Sequence, residues 1–81
     1  MDTRLAIIAI IVESKESVNK VNQILHSHAT NIIGRMGMPY SKKDVSVITI
    51  VIDAPQDVIS TLSGKLGQIP SVSIKTTYSK V

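Results

Sequence analysis

The chain has no cysteine, no phenylalanine and no tryptophan, and its aromatic residues are limited to Tyr40 and Tyr78. Without cysteine there is no disulfide framework, no thiolate zinc or iron–sulfur site and no cysteine nucleophile. The Cys-x-x-Cys copper chaperones are excluded for the same reason, and a reducing cytoplasm is the compartment that fits. With so few aromatics the core must be aliphatic. Charge is also sparse: Asp, Glu, Lys and Arg make up 19% of the 81 residues, with a net charge of +3. The basic residues are scattered rather than striped, which reads as ordinary surface charge and not as a nucleic-acid footprint. A hydrophobic content of 43% argues against disorder.

Long hydrophobic runs are missing as well. The run Leu5–Val12 (LAIIAIIV) spans eight residues, far short of the roughly 20 that a membrane-spanning helix needs. No small-residue cleavage site follows it, so it is not read as a secretory leader. Glu13-Ser14-Lys15-Glu16 comes next, which is helix-start chemistry. The expectation is a soluble cytoplasmic protein of one domain, residues 1–81. A domain of this size buries only about 60–65% of the surface its unfolded chain exposes, so stabilisation by a partner chain is expected.

Two β-branched runs, Leu5–Val12 and Val45–Ile52 (VSVITIVI), read as strands covered on both faces. Between them Val18, Val21, Ile24 and Leu25 recur at helical spacing, giving a helix over 15–28 with Ser14 as N-cap and Glu16 in its first turn. Thr30–Met36 is extended, and Gly37, Pro39 and Ser41–Asp44 break the chain. Asp53 is expected to cap a second helix, with Pro55 in its first turn, Val58, Ile59, Leu62 and Leu66 on one face, and Gly67 as C-terminal cap. Val72–Tyr78 then alternates apolar with polar, as a half-exposed strand does.

The order is strand, helix, strand, strand, helix, strand. A shift of 40 residues sets Val12 over Ile52, Val18 over Val58 and Ile32 over Val72, a weak repeat of one βαβ unit. Two such units make a ferredoxin-like βαββαβ sandwich, α+β in class, with a four-stranded antiparallel sheet of order 4-1-3-2 and both helices on one face. The two fully apolar runs then fall on the central strands. In such a sheet the face away from the helices normally meets water. Here both parities are apolar: Leu5, Ile7, Ala9, Ile11, Val45, Val47, Thr49 and Val51 form one set, and the residues between them form the other. Whichever set is left open predicts packing on a second copy, as a dimer or tetramer.

The stretch NIIGRMGMPYSKKD carries the candidate chemistry. Gly34-Arg35-Met36-Gly37 has the form of the GxxG clamp of a KH domain, but that loop leads straight into a helix, and here Pro39 and a strand follow. A phosphate loop requires GxxxxGK[ST] between strand and helix, which neither this stretch nor Gly64-Lys65-Leu66-Gly67 supplies. RNA-recognition motifs stack bases on aromatics of the central strands, where this chain has none. Structural readings are available: Gly34 marks a bulge and Gly37 gives positive φ in a turn. Gly64 inside a helix costs about 1 kcal/mol relative to alanine and so suggests a close contact. Catalysis finds little support, because the loop after the first strand lacks the arginine of acylphosphatases. His26 and His28, two apart on a helix, diverge and read as solvated imidazoles rather than a metal pair.

Taken in order, IIVES, VNQIL, IIGRMGMPY, VSVITIVID and LSGKLGQIP resemble a family of regulators of the iron-only hydrogenase system over about residues 4–76. These are ACT-like proteins whose fold is similar to the C-terminal domain of the nickel-responsive repressor NikR. The resemblance implies an oligomeric, non-catalytic regulatory domain and places the family motif on Gly34, Arg35, Met36, Gly37 and Pro39, and on Gly64, Lys65, Leu66 and Gly67. Two features of wider relatives do not carry over. The glycine usual after the first strand of ACT amino-acid sensors is replaced by Glu13-Ser14, and the cysteine of NikR nickel sites is absent. No cofactor and no metal are expected.

The candidate ligand-binding residues are therefore Gly34, Arg35, Met36, Gly37, Tyr40, Gly64, Lys65 and Gly67, with Arg35, Tyr40 and Lys65 facing an anionic effector or a partner protein. DNA, if reached, is expected to be reached through a partner. The alternative reading is a nucleic-acid-binding domain that uses the basic loop at Lys42-Lys43.

Overall fold

Both β-branched runs become central strands of a single sheet in the computed structural model, which describes residues 2–80. The elements are β1 (Arg4–Val12), α1 (Lys15–Ser27), β2 (Ile32–Tyr40), β3 (Val45–Ala54), α2 (Gln56–Gly67) and β4 (Val72–Tyr78). Sheet order is β2-β3-β1-β4 with every pairing antiparallel. This is the expected 4-1-3-2 order read from the other edge, and the fold is the ferredoxin-like βαββαβ sandwich.

Which parity faces the helices is settled by burial. Ala6, Ile8, Ile10 and Val12 of β1 and Ile48, Ile50, Ile52 and Ala54 of β3 are buried, together with Val21 and Leu25 of α1 and Ile59, Leu62 and Leu66 of α2. Each fully buried Leu or Ile contributes about 1.5–3 kcal/mol from area removed from water. The other set, Leu5, Ile7, Ala9 and Ile11 with Val45, Val47, Thr49 and Val51, lies on the open face. Helix starts lean on backbone and loop contacts. Ser14 stands at the N-cap of α1 without a side-chain hydrogen bond, its carbonyl accepting from Ser17 N. Ser17, itself buried, donates from Oγ to the Pro70 carbonyl at 2.7 Å, and Glu13 N donates to Ser71 O at 2.8 Å. The start of α1 is thereby tied to the loop before β4. The 40-residue repeat is visible in space: Val12 and Ile52 are both buried in the core, Val18 and Val58 both pack against it, and Ile32 and Val72 each open an edge strand.

Several local expectations are corrected. β2 does not stop at Met36 but runs to Tyr40, with Gly37 opposite Ile48 and Pro39 opposite Ser46. An edge strand tolerates proline because one of its sides has no ladder to complete. Gly37 does not take positive φ; the left-handed residues are Asp44 (φ 53°) and Ser71 (φ 64°). Asp44 closes the 41–44 turn, a position that aspartate tolerates through local hydrogen bonding. The register does shift between Ile32 and Gly34, placing a bulge beside Gly34 as expected. Asp53 is not a helix cap: it pairs with Leu5 inside the sheet and donates its N–H to Asn31 O at 3.0 Å. Pro55 takes the N-cap position instead. Gly67 is the last residue of α2, and Gln68, in ordinary right-handed geometry, caps it.

Candidate functional site

Alternation along β2 divides the GRMG stretch between two faces. Gly34, Met36, Met38 and Tyr40 pair with Val51, Thr49, Val47 and Val45, and so share the open face with them. Arg35 pairs with Ile50 and therefore lies on the helix side. There the Arg35 guanidinium Nη2 donates to Asn22 Oδ1 of α1.

Around that contact α1 and β2 border an open groove of about 740 Å³. Its polar wall is Asn19, Asn22, Gln23 and His26, which recur at i, i+3, i+4 and i+7 and so lie along one face of α1. Leu25, Ala29 and Ile32 supply the apolar floor, and Arg35 closes the strand side. Among the described residues no carboxylate lines it, and Arg35 is the one fixed charge there. Sequence reasoning picked out Arg35 but missed the carboxamide stripe, although its spacing was readable. His28 is placed differently from the expectation of a solvated ring: it is half-buried, with Nδ1 3.1 Å from both Ser27 Oγ and Ile24 O. Among the described residues no three His, Cys, Asp or Glu side chains converge as a metal site.

The second glycine motif lies elsewhere. α2 packs against β4, and Gly67 is close enough to Ile74 for an added Cβ to sit 3.9 Å from Cδ1. β4 and β2 are opposite edges of the sheet, separated by three strand spacings, or about 14 Å. Arg35 and Lys65 therefore do not share a pocket within one chain. The close contact expected at Gly64 is also absent among the described residues, since a Cβ there would meet nothing within 4 Å. Lys42 and Lys43 occupy the exposed 41–44 turn.

The open face is the other candidate surface. Among the described residues the exposed large hydrophobics are Leu5, Ile7, Ile11, Met36, Met38, Tyr40 and Ile33. All except Ile33, at the bulge, belong to the strand parity that points away from the helices. Met36 is 69% and Met38 58% exposed, which makes the edge of this patch its most accessible part. Lys75, opposite Ala9, and Asp53, opposite Leu5, are charges of opposite sign on the same face. At the other edge Arg4 stacks on Tyr78, 4.4 Å from the ring centroid, and donates to Gln56 Oε1 at 2.7 Å. No helix among the described residues is long and apolar enough to cross a membrane.

Comparison with known proteins agrees with this architecture. Residues 4–76 match the model of the TM1266-like family, described as "Iron-only hydrogenase system regulator, putative". Among solved structures the chain is similar to the uncharacterized protein TM1266 of Thermotoga maritima, with 35% identity, a TM-score of 0.94, and coverage of 98% of this chain and 100% of that one. It also resembles part of a formyltetrahydrofolate deformylase from Pseudomonas putida, at 14% identity and a TM-score of 0.61, covering 94% of this chain and 28% of that one. The divalent ion tolerance protein CutA1 of Ehrlichia chaffeensis is similar at 13% identity and a TM-score of 0.54, covering 98% and 84% respectively. The last two likenesses concern the fold alone. No curated protein sequence matches the chain.

Proposed function

The chain belongs to the TM1266-like family of iron-only hydrogenase system regulators, and from that premise we propose a non-catalytic regulatory domain that works as a homo-oligomer, with a second copy covering its open sheet face. The observation that carries this reading is the segregation of the exposed large apolar side chains, Ile33 apart, onto that face. Large apolar side chains gathered on one face, rather than scattered singly, mark an interaction surface.

A second copy fits better than an acidic or basic partner, because among the described strand residues of this face the two charges, Asp53 near the end of β3 and Lys75 in the middle of the edge strand β4, are of opposite sign. Two-fold packing of such a face on itself brings no excess of like charge together. Met36 and Met38 suit the rim, since unbranched thioether chains adapt to the surface they meet. Sedimentation velocity of the purified chain over a micromolar concentration series tests the reading. A dimer or tetramer is expected, and a monomer throughout the series overturns it.

A further inference from the structure

The groove between α1 and β2 stands on the opposite side of the sheet from that interface, and we propose that it binds a small organic monocarboxylate. Arg35 is the anchor. Its guanidinium is a planar fork matched to a carboxylate, and Asn22 takes one of its donors while leaving others for a ligand. Among the described residues the lining holds a single fixed cation and no carboxylate, which favours a single negative charge over a polyanion. Leu25, Ala29 and Ile32 offer an apolar floor for a hydrocarbon or ring, while Asn19, Gln23 and His26 present donors and acceptors to polar substituents. Its volume, about 740 Å³, falls within the range of small-molecule sites. The inference deepens the regulatory reading by naming an effector class, and depends on that reading only for the word effector.

The test titrates the isotopically labelled full chain with sodium phenylacetate and, separately, with neutral phenylacetamide, following backbone amide shifts by NMR. A probe of about ten heavy atoms is expected to bind with a dissociation constant of millimolar order. Saturable shifts are expected around residues 19–35, with the amide about tenfold weaker than the carboxylate. Arg35→Gln removes that preference, whereas Arg35→Lys keeps part of it, having the charge without the fork. Asn22→Asp provides a second route, because a carboxylate beside Arg35 competes with the ligand. The proposal is overturned by equal binding of the two probes, by shifts unchanged in Arg35→Gln and Asn22→Asp, by shifts centred on Lys42, Lys43 or Lys65, or by none at all. Sedimentation of the same samples keeps the two readings apart: a monomer that binds phenylacetate sinks the oligomer alone, and an oligomer without shifts sinks the groove alone.

Discussion

Replacing Ile7 and, separately, Ile8 with alanine perturbs the same residue type one position apart on the same strand. Ile8 is 0% exposed and Ile7 46%. Ile8→Ala empties a fully enclosed site, which costs about 2–5 kcal/mol of folding stability. Ile7→Ala in a lone chain forfeits only the half of the side chain that is covered, about 1 kcal/mol. An isologous dimer adds a second effect at Ile7, because the wet half becomes buried in both protomers. Losing about 1 kcal/mol twice raises the dimer dissociation constant roughly 30-fold. Sedimentation equilibrium gives that constant, and urea unfolding at several protein concentrations separates folding from association, since the stability of a dimer depends on protomer concentration. If Ile7→Ala leaves the association constant at the wild-type value, Ile7 is not in the interface and the open face is not the oligomer surface.

Other perturbations address single contacts. Ser17→Ala removes the bond that ties α1 to the loop before β4 and leaves the Pro70 carbonyl without that donor; a loss of about 1–3 kcal/mol in urea unfolding is expected. Gly64→Ala is expected to stabilise by about 0.5–1 kcal/mol, because a helical alanine there meets nothing within 4 Å among the described residues. A destabilised Gly64→Ala would instead reveal a neighbour supplied by another subunit. Ser71→Gly relieves a left-handed backbone at φ 64° and is expected to raise stability by about 1 kcal/mol, read from the urea midpoint.

Element order, sheet order and the division into central and edge strands were legible because period and burial pattern point the same way. Leu5–Val12 and Val45–Ile52 are apolar on both parities, which marks central strands, and the alternation of Val72–Tyr78 marks an edge. That same double apolarity hid which face the helices cover. Leu5, Ile7, Ala9 and Ile11 differ too little from Ala6, Ile8, Ile10 and Val12 for composition to choose. Gly37 and Pro39 masked the end of β2, since both break central strands but are tolerated on an edge. Asp53 was mistaken for a cap because a side-chain acceptor before a helix is a strong local signal, and the pairing that holds it in β3 is long-range. The groove went unread for a different reason. Asn19, Asn22 and Gln23 are uncharged, and only the fold shows that Arg35 arrives beside them.

The two proposals meet on β2 but are addressed by different residues, because consecutive side chains of a strand leave it on opposite faces. Arg35 serves the groove, while Met36 and Met38 serve the open face, so a substitution at one position leaves the other surface chemically intact. The flanking glycines gain meaning from this arrangement. An added Cβ at Gly34 would meet nothing within 4 Å and at Gly37 only the Val47 carbonyl at 4.0 Å, and neither residue takes positive φ. Packing among the described residues therefore does not require glycine at either site. A steric reason for them must come from outside the chain, from a ligand beside Arg35 or a second copy against Met36. Gly34 lies on the same face as Met36, so the second copy is the neighbour that its missing side chain would admit.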